Sequence, residues 1–292
     1  MYRAAKNFRD KSVDPVLEVN GKPDIEIHLY NNANRINLTV NAMHNNFLEG
    51  WRIDRIGGKV ACIQERENSS YFTYWEDEVH GTKTLLEYIS DLFGVGVQLL
   101  NLDGAKVWMM DFVEKRQGPG SYKANVTFLT KEQLKHVLID VNPKSLSLDF
   151  TPPMFRIENF NKKYDEFQLF EGKFLRKLIN FENLCTLDCI EIRVFEKFQG
   201  VEINKYFQHV MAGGAPRLKL FVCGAFEGFC ENVILSKIRN LVTAVPGREQ
   251  FTRDHQGNWE FNGRLNRGED SALVSINYLS WFGEIRLSVN KM

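Results

Sequence analysis

Val201–Gly224, VEINKYFQHVMAGGAPRLKLFVCG, decides the fold class. Ile203, Tyr206, Phe207, Val210 and Met211 recur at helical spacing and predict an amphipathic helix. Gly213-Gly214 ends it, because a glycine just past a helix takes the left-handed backbone that other residues avoid. Leu218 to Val222 follows at once as a strand. His209 falls on the polar side of this helix and is expected at the surface.

The same unit recurs upstream. Thr84-Leu-Leu-Glu87 reads as a capping box, with Leu85, Ile89 and Leu92 on one helical face beside Tyr88 and Phe93. Gly94 and Gly96 close that helix, and Val97 to Leu102 is the strand behind it. Thr130 to Gln133 is a second capping box, followed by Leu134, Val137, Leu138 and Val141. Asn142-Pro143 ends that helix and Ser145 to Phe150 is the next strand. Strands are predicted to begin near Val97, Ala124, Ser145, Phe167, Cys189 and Leu218. Their spacing lies within the leucine-rich-repeat band of roughly 20–29 residues, although the strict consensus with its asparagine ladder is absent.

Before this region the pattern is different. Asp24 to Leu29 and Arg35 to Val40 alternate polar and apolar side chains around the turn chemistry of Asn31 to Asn34. Lys59 to Ile63 and Tyr71 to Trp75 predict two more strands around the polar turn Glu65 to Ser70, and a meander or hairpin pair is the simplest arrangement. After the short helix Glu231 to Leu241, strands return at Trp259 to Phe261, Ala272 to Ile276 and Glu284 to Val289. The expectation is an α/β fold: an irregular leucine-rich-repeat-like βα stack over residues 81–245, a β-rich segment over 21–80 before it, and a C-terminal β-hairpin capping the open end.

Composition excludes some functions. The chain has 292 residues, 43% hydrophobic and 25% charged, with 37 basic and 37 acidic residues. A net charge of zero supplies no field for polyanions, so no nucleic-acid partner is expected. No apolar run reaches the ~18 residues of a membrane span, and the basic start MYRAAKNFRDKSV lacks the apolar core of a secretory signal. Five cysteines without such a signal read as reduced thiols in the cytosol or nucleus. In that setting the triplets at Asn37, Asn68 and Asn125 are chance glycosylation matches.

Chemistry is sparse. Cys185 and Cys189 are four apart but lack a second pair or a histidine at ligand spacing, and read with Cys223 and Cys230 as core thiols. His28, His44, His80, His136, His209 and His255 are scattered. Gly118-Pro119-Gly120, near Lys115, Arg116 and Lys123, reads as an exposed loop, and Trp75-Glu-Asp-Glu78 as a solvated acidic turn. No catalytic, cofactor-binding or metal-binding residue is assigned, and no cofactor is expected. Phe160, Phe195 and Phe198 depart from core spacing, and a cluster of them on an exposed face would make a partner site.

Three segments resemble the F-box-associated region, type 2, of the nematode F-box proteins. They are Tyr74 to Asp77 with Gly81 and Leu86 to Phe93; Glu202-Ile203-Asn204 with Phe207, Gly213-Gly214 and Arg217 to Lys219; and Arg267-Gly268 with Ala272 to Val274. The family usually has a Trp where this chain has Val210, reads closer to Asp-Gly and Ala-Thr-Ile in the third segment, and closes on a Trp where Asn290 stands. The resemblance implies a domain over residues 21–290, with residues 1–20 as the remnant of an F-box. It implies a non-catalytic module resembling the substrate-recognition half of a ubiquitin-ligase adaptor. Ala4 to Val13 matches at best the tail of an F-box. A stub of that size cannot bury the ~1,200–2,000 Å² of a stable interface, so direct adaptor binding is not expected. Two alternatives stay open: a free-standing or degenerate binding module without ligase coupling, and an enzyme whose site assembles in space.

Overall fold

The computed structural model describes residues 15–22, 24–31, 35–42, 51–66, 70–149, 161–170, 180–225, 231–267, 270–280 and 283–291. They form a mixed α/β protein of two compact units, Met1–Thr127 and Phe128–Met292.

The first unit opens with an antiparallel meander, β1 (Val16–Gly21), β2 (Ile25–Tyr30) and β3 (Arg35–Ala42). A second meander, β4 (Arg52–Ile56), β5 (Lys59–Arg66) and β6 (Ser70–Trp75), joins it through a parallel β3–β6 pair. On the other side β1 pairs in parallel with β7 (Val97–Asp103), and β7 with β8 (Lys123–Thr127). The strand order is β8-β7-β1-β2-β3-β6-β5-β4. The two hairpin strands of the sequence reading are present as β5 and β6, but they belong to this larger sheet. β1 also crosses the boundary expected at residue 21. Leu17 and Val19 are fully buried and Glu18 and Asn20 half-buried, so the alternation of a sheet strand begins before that boundary. Residues 1–14, the rest of the expected remnant, lie outside the described residues.

Helix α1 (Glu78–Phe93) packs against β3 and β6. It begins earlier than Thr84: the Asp77 side chain accepts from the His80 N–H, and Thr84 is buried inside the helix. The acidic run Trp75 to Glu78 is therefore a buried strand end followed by an N-cap and first turn, where carboxylates favour the amides and dipole of a helix start. Gly94, at φ 68°, is the left-handed C-cap. Between β7 and β8 stands a helix absent from the sequence reading, α2 (Trp108–Gln117), with Met109, Met110 and Val113 inside.

The second unit holds α3 (Lys131–Ile139), whose Thr130–Gln133 capping box forms as expected. Four parallel strands follow: β9 (Ser145–Asp149), β10 (Lys163–Leu169), β11 (Asp188–Phe198) and β12 (Leu220–Ala225), each beside the next. Helix α4 (Phe181–Thr186) precedes β11, and α5 (Gly200–Met211) links β11 to β12. The short α4 also escaped the sequence reading. Gly213 lies just past α5 at φ 97°, and the Gly214 N–H closes on the His209 carbonyl. After α6 (Glu231–Leu235), the strands β13 (Phe251–Arg253), β14 (Trp259–Arg267), β15 (Asp270–Leu279) and β16 (Glu284–Lys291) form an antiparallel meander. β16 pairs antiparallel with β12 and so covers that side of the parallel set, as expected of the C-terminal hairpin.

The second core lies between sheet and helices. Leu146, Leu148, Phe167, Leu169, Ile192, Val194, Phe221 and Cys223 point inward, and Tyr206 and Phe207 of α5 meet Phe221 at 4.5 and 6.1 Å between ring centres. Among the described residues no helix is long and apolar enough to cross a membrane.

Candidate functional site

Strand alternation sends the remaining side chains of the second unit to the opposite sheet face. Glu166, Gln168, Glu191 and Arg193 stand there, all half-buried. Arg193 donates to Glu191 at 3.0 Å and lies 3.8 Å from Glu166, which also accepts from Gln168. Across β12 the face continues through Arg286, paired with Glu284, and Asn277, which donates to Ser275. Both arginines are ion-paired with carboxylates of the same face, so it offers polar contacts of both signs.

A partly exposed aromatic pair interrupts it. Phe170, directly after β10, stacks on Phe195 of β11, with ring centres 5.1 Å apart and planes 9° from parallel. Phe170 is 39% exposed and Phe195 half-buried. The parallel register that sets Leu169 beside Val194 brings the next residues, Phe170 and Phe195, together. Two rings on a polar sheet face present an apolar patch rimmed by hydrogen-bonding groups. Of the phenylalanines singled out from the sequence, Phe195 is here, Phe198 is 1% exposed in the core, and Phe160 lies outside the described residues. Phe198 is a correction: the register of β11 shifts after Val194, and its last residue turns inward.

The first unit carries a separate polar row. Asn101 of β7 donates to Glu18 of β1 at 2.7 Å and accepts from Asn125 of β8 at 2.7 Å, while the Tyr30 hydroxyl reaches Glu18 at 3.3 Å. Burial and the Glu18 carboxylate push the Tyr30 phenol above its ordinary value. Asn101 and Asn125 face each other in register, each between inward apolar neighbours. That alternation was readable, but the partnership of the strands was not.

Among the described residues the other titratable groups do not converge on a reactive arrangement. His28 contacts Asn37 at 2.8 Å and Glu26 at 3.3 Å, and His136 meets Asp140 at 2.9 Å. His209 is half-buried, and its ring lies so close to Gly214 that a Cβ there would fall 2.0 Å from Cε1. Burial raises the Cys185 thiol to about 11 and the Cys189 thiol to about 12, the opposite of an activated nucleophile. Cys62, Cys189 and Cys223 are buried and Cys185 half-buried, with Cys230 outside the described residues. Among the described residues no three His, Cys, Asp or Glu side chains could hold a metal ion together. Gly118 to Gly120 is a turn after α2, and nearby Arg116 is held by Asp91 and Glu87.

Two of the three segments that resembled a family hold structural posts. Trp75 packs on Gly81 and donates to Thr73 at 3.0 Å. Asn204 is buried and donates to the Ile234 and Ser236 carbonyls, ending α6. Arg217 donates to the Asp188 carbonyl at 3.0 Å and to the Asp165 carboxylate at 2.8 Å, tying the starts of β10 and β11 together. Comparison with protein-family models, curated proteins and solved structures returned no match.

Proposed function

We propose that the chain is a non-catalytic protein–protein interaction domain. In this reading its second unit binds a protein target through the sheet face opposite α5, with Phe170 and Phe195 as the anchor. The observation that carries it is the stacked, partly exposed aromatic pair on a polar, ion-paired face. Apolar anchors in a polar surround are the arrangement that concentrates binding energy in protein interfaces, and burying one phenyl ring contributes about 1.5–3 kcal/mol.

Membership of the F-box-associated type 2 family and a leucine-rich-repeat-like stack belong to the same proposal. The consecutive parallel order β9-β10-β11-β12, with α4 and α5 between strands, supports them. So does the structural use of Trp75, Gly81, Asn204 and Arg217, since a family motif built from such residues marks a shared scaffold.

The test is affinity capture with the intact chain from its native cells, beside a Phe170→Ala/Phe195→Ala variant of unchanged urea midpoint. Stoichiometric proteins held by the native chain and lost with the variant are expected. Identical captures from both would reject this face. Cullin-ligase subunits in the eluate would extend the reading to substrate recognition for a ligase, and unrelated partners alone would favour a free-standing module.

A further inference from the structure

The outermost strand of the first unit, β4, carries a charge pattern that matches itself. It is the terminal strand of its sheet order and pairs with β5 on one side. Arg52, Ile53, Asp54 and Arg55 are all exposed, Ile53 by 77%. The β4–β5 turn is Gly57-Gly58, with φ of 56° and 78°, the two-residue turn in which the flanking pair exchanges both hydrogen bonds. That flanking pair is Ile56 and Lys59, so by alternation the amides of Asp54 and Arg52 also face β5. The N–H and C=O groups of Ile53 and Arg55 face away. Arg55 agrees with this assignment, because its N–H donates to the Asp54 side chain at 2.8 Å.

An edge strand with outward amides is a template for another strand. Charged residues normally discourage such pairing, and here their order decides which pairing survives. In an antiparallel pair of two β4 strands centred on Asp54, two carboxylates would stand face to face, which is unfavourable. Centring on Ile53 sets Ile53 opposite Ile53 through its outward amides and places Arg52 opposite Asp54 twice. Val60, 57% exposed on β5, stands diagonal to Ile53 on the same face and extends the apolar contact.

We propose that β4 is a self-association edge: two copies of this chain pair antiparallel about a two-fold axis at Ile53, held by reciprocal Arg52–Asp54 pairs. The contact is isologous and closes at two copies. It involves one short strand per copy, which places it among weak, concentration-dependent interfaces. It does not use the sheet face proposed for target binding.

Analytical ultracentrifugation of the full chain from micromolar to sub-millimolar concentration tests it. The native chain is expected to rise from monomer toward dimer. Ile53→Pro removes an N–H that β5 does not use, so it should keep the fold and remain monomeric. Asp54→Arg should weaken association roughly tenfold by opposing like charges at both pairs. Arg52→Asp combined with Asp54→Arg should restore it, because the swap rebuilds both pairs. A native chain that stays monomeric, an Ile53→Pro variant that still dimerises, or a double variant as weak as Asp54→Arg overturns the proposal.

Discussion

Gly81 lies against the indole of Trp75 so closely that a Cβ at Gly81 would fall 2.2 Å from the ring's Cγ. The contact locks the first turn of α1 onto the end of β6, and the indole N–H is used at the same time by Thr73, which in turn donates to the Thr39 carbonyl of β3. Helix, strand and neighbouring strand thus meet at one glycine.

Gly81→Ala is therefore expected to destabilise the chain despite the better helix propensity of alanine. The helical gain is about 1 kcal/mol, while displacing a buried Trp and breaking its hydrogen bond costs more. A net loss of about 1–3 kcal/mol should appear as a lower urea midpoint. In a double-mutant cycle with Trp75→Leu the two losses should not add, because both relieve or create the same clash.

Arg217→Ala should destabilise the second unit by about 1.5–3 kcal/mol, the range for hydrogen bonds to a charged group. Arg217→Lys should recover little of it. One ammonium cannot donate in a fork to the Asp188 carbonyl and the Asp165 carboxylate together. Chemical denaturation of the three proteins orders them.

Asn204→Asp should cost more stability than Asn204→Ala. The amide donates to two carbonyls at the end of α6, and a carboxylate there would bring negative charge against them without a proton to share. Thermal unfolding at neutral pH should place Asp lowest, and a reversed order would reject the assignment.

Alkaline stability should depend on the buried thiols. Burial raises the Cys189 thiol to about 12 from its ordinary 9.0, and Cys185 to about 11. The unfolded chain then loses these protons at lower pH than the folded one. The stabilisation is complete below the ordinary thiol value and is lost as pH rises toward the folded values. Urea midpoints should hold steady up to about pH 8 and fall above about pH 9. Cys189→Ala should show a shallower fall over the same window.

The elements with strong periodicity and caps were legible. The Thr130 capping box, the Gly94 cap, the Gly213 turn and five of the six strands predicted from Val97 onward stand within two residues of where their spacing indicated, while the strand expected near Phe167 begins at Lys163. The start of α1 was misplaced because Thr84 and Glu87 imitate a capping box, whereas Asp77 holds the amide that matters. α4 is too short to show a period, although its Asn180–Asn183 capping box was present in the sequence. α2 was hidden because it follows β7 through a single 3-10 turn, Gly104–Lys106, with no polar linker to announce it.

The proposed binding face and the β4 edge were legible only in part. Phe195 stood out by its irregular spacing, but its partner Phe170 did not, because their stacking follows from the β10–β11 register. His209 looked like a surface residue on a helical wheel and proved to sit on Gly214, beyond the turn that the wheel leaves out.

By itself the sequence determined the buried face of the strongly periodic helices and strands, several of their caps, and that charge is balanced overall. These properties depend on neighbours a few residues away, through backbone caps and side-chain periodicity. The tertiary structure alone decided that β1 bridges β2 and β7, that Arg217 clamps two strand starts, that two phenylalanines share one face, and that β4 lies at an edge. Strand order and register join residues far apart in the chain, and no local period carries that information.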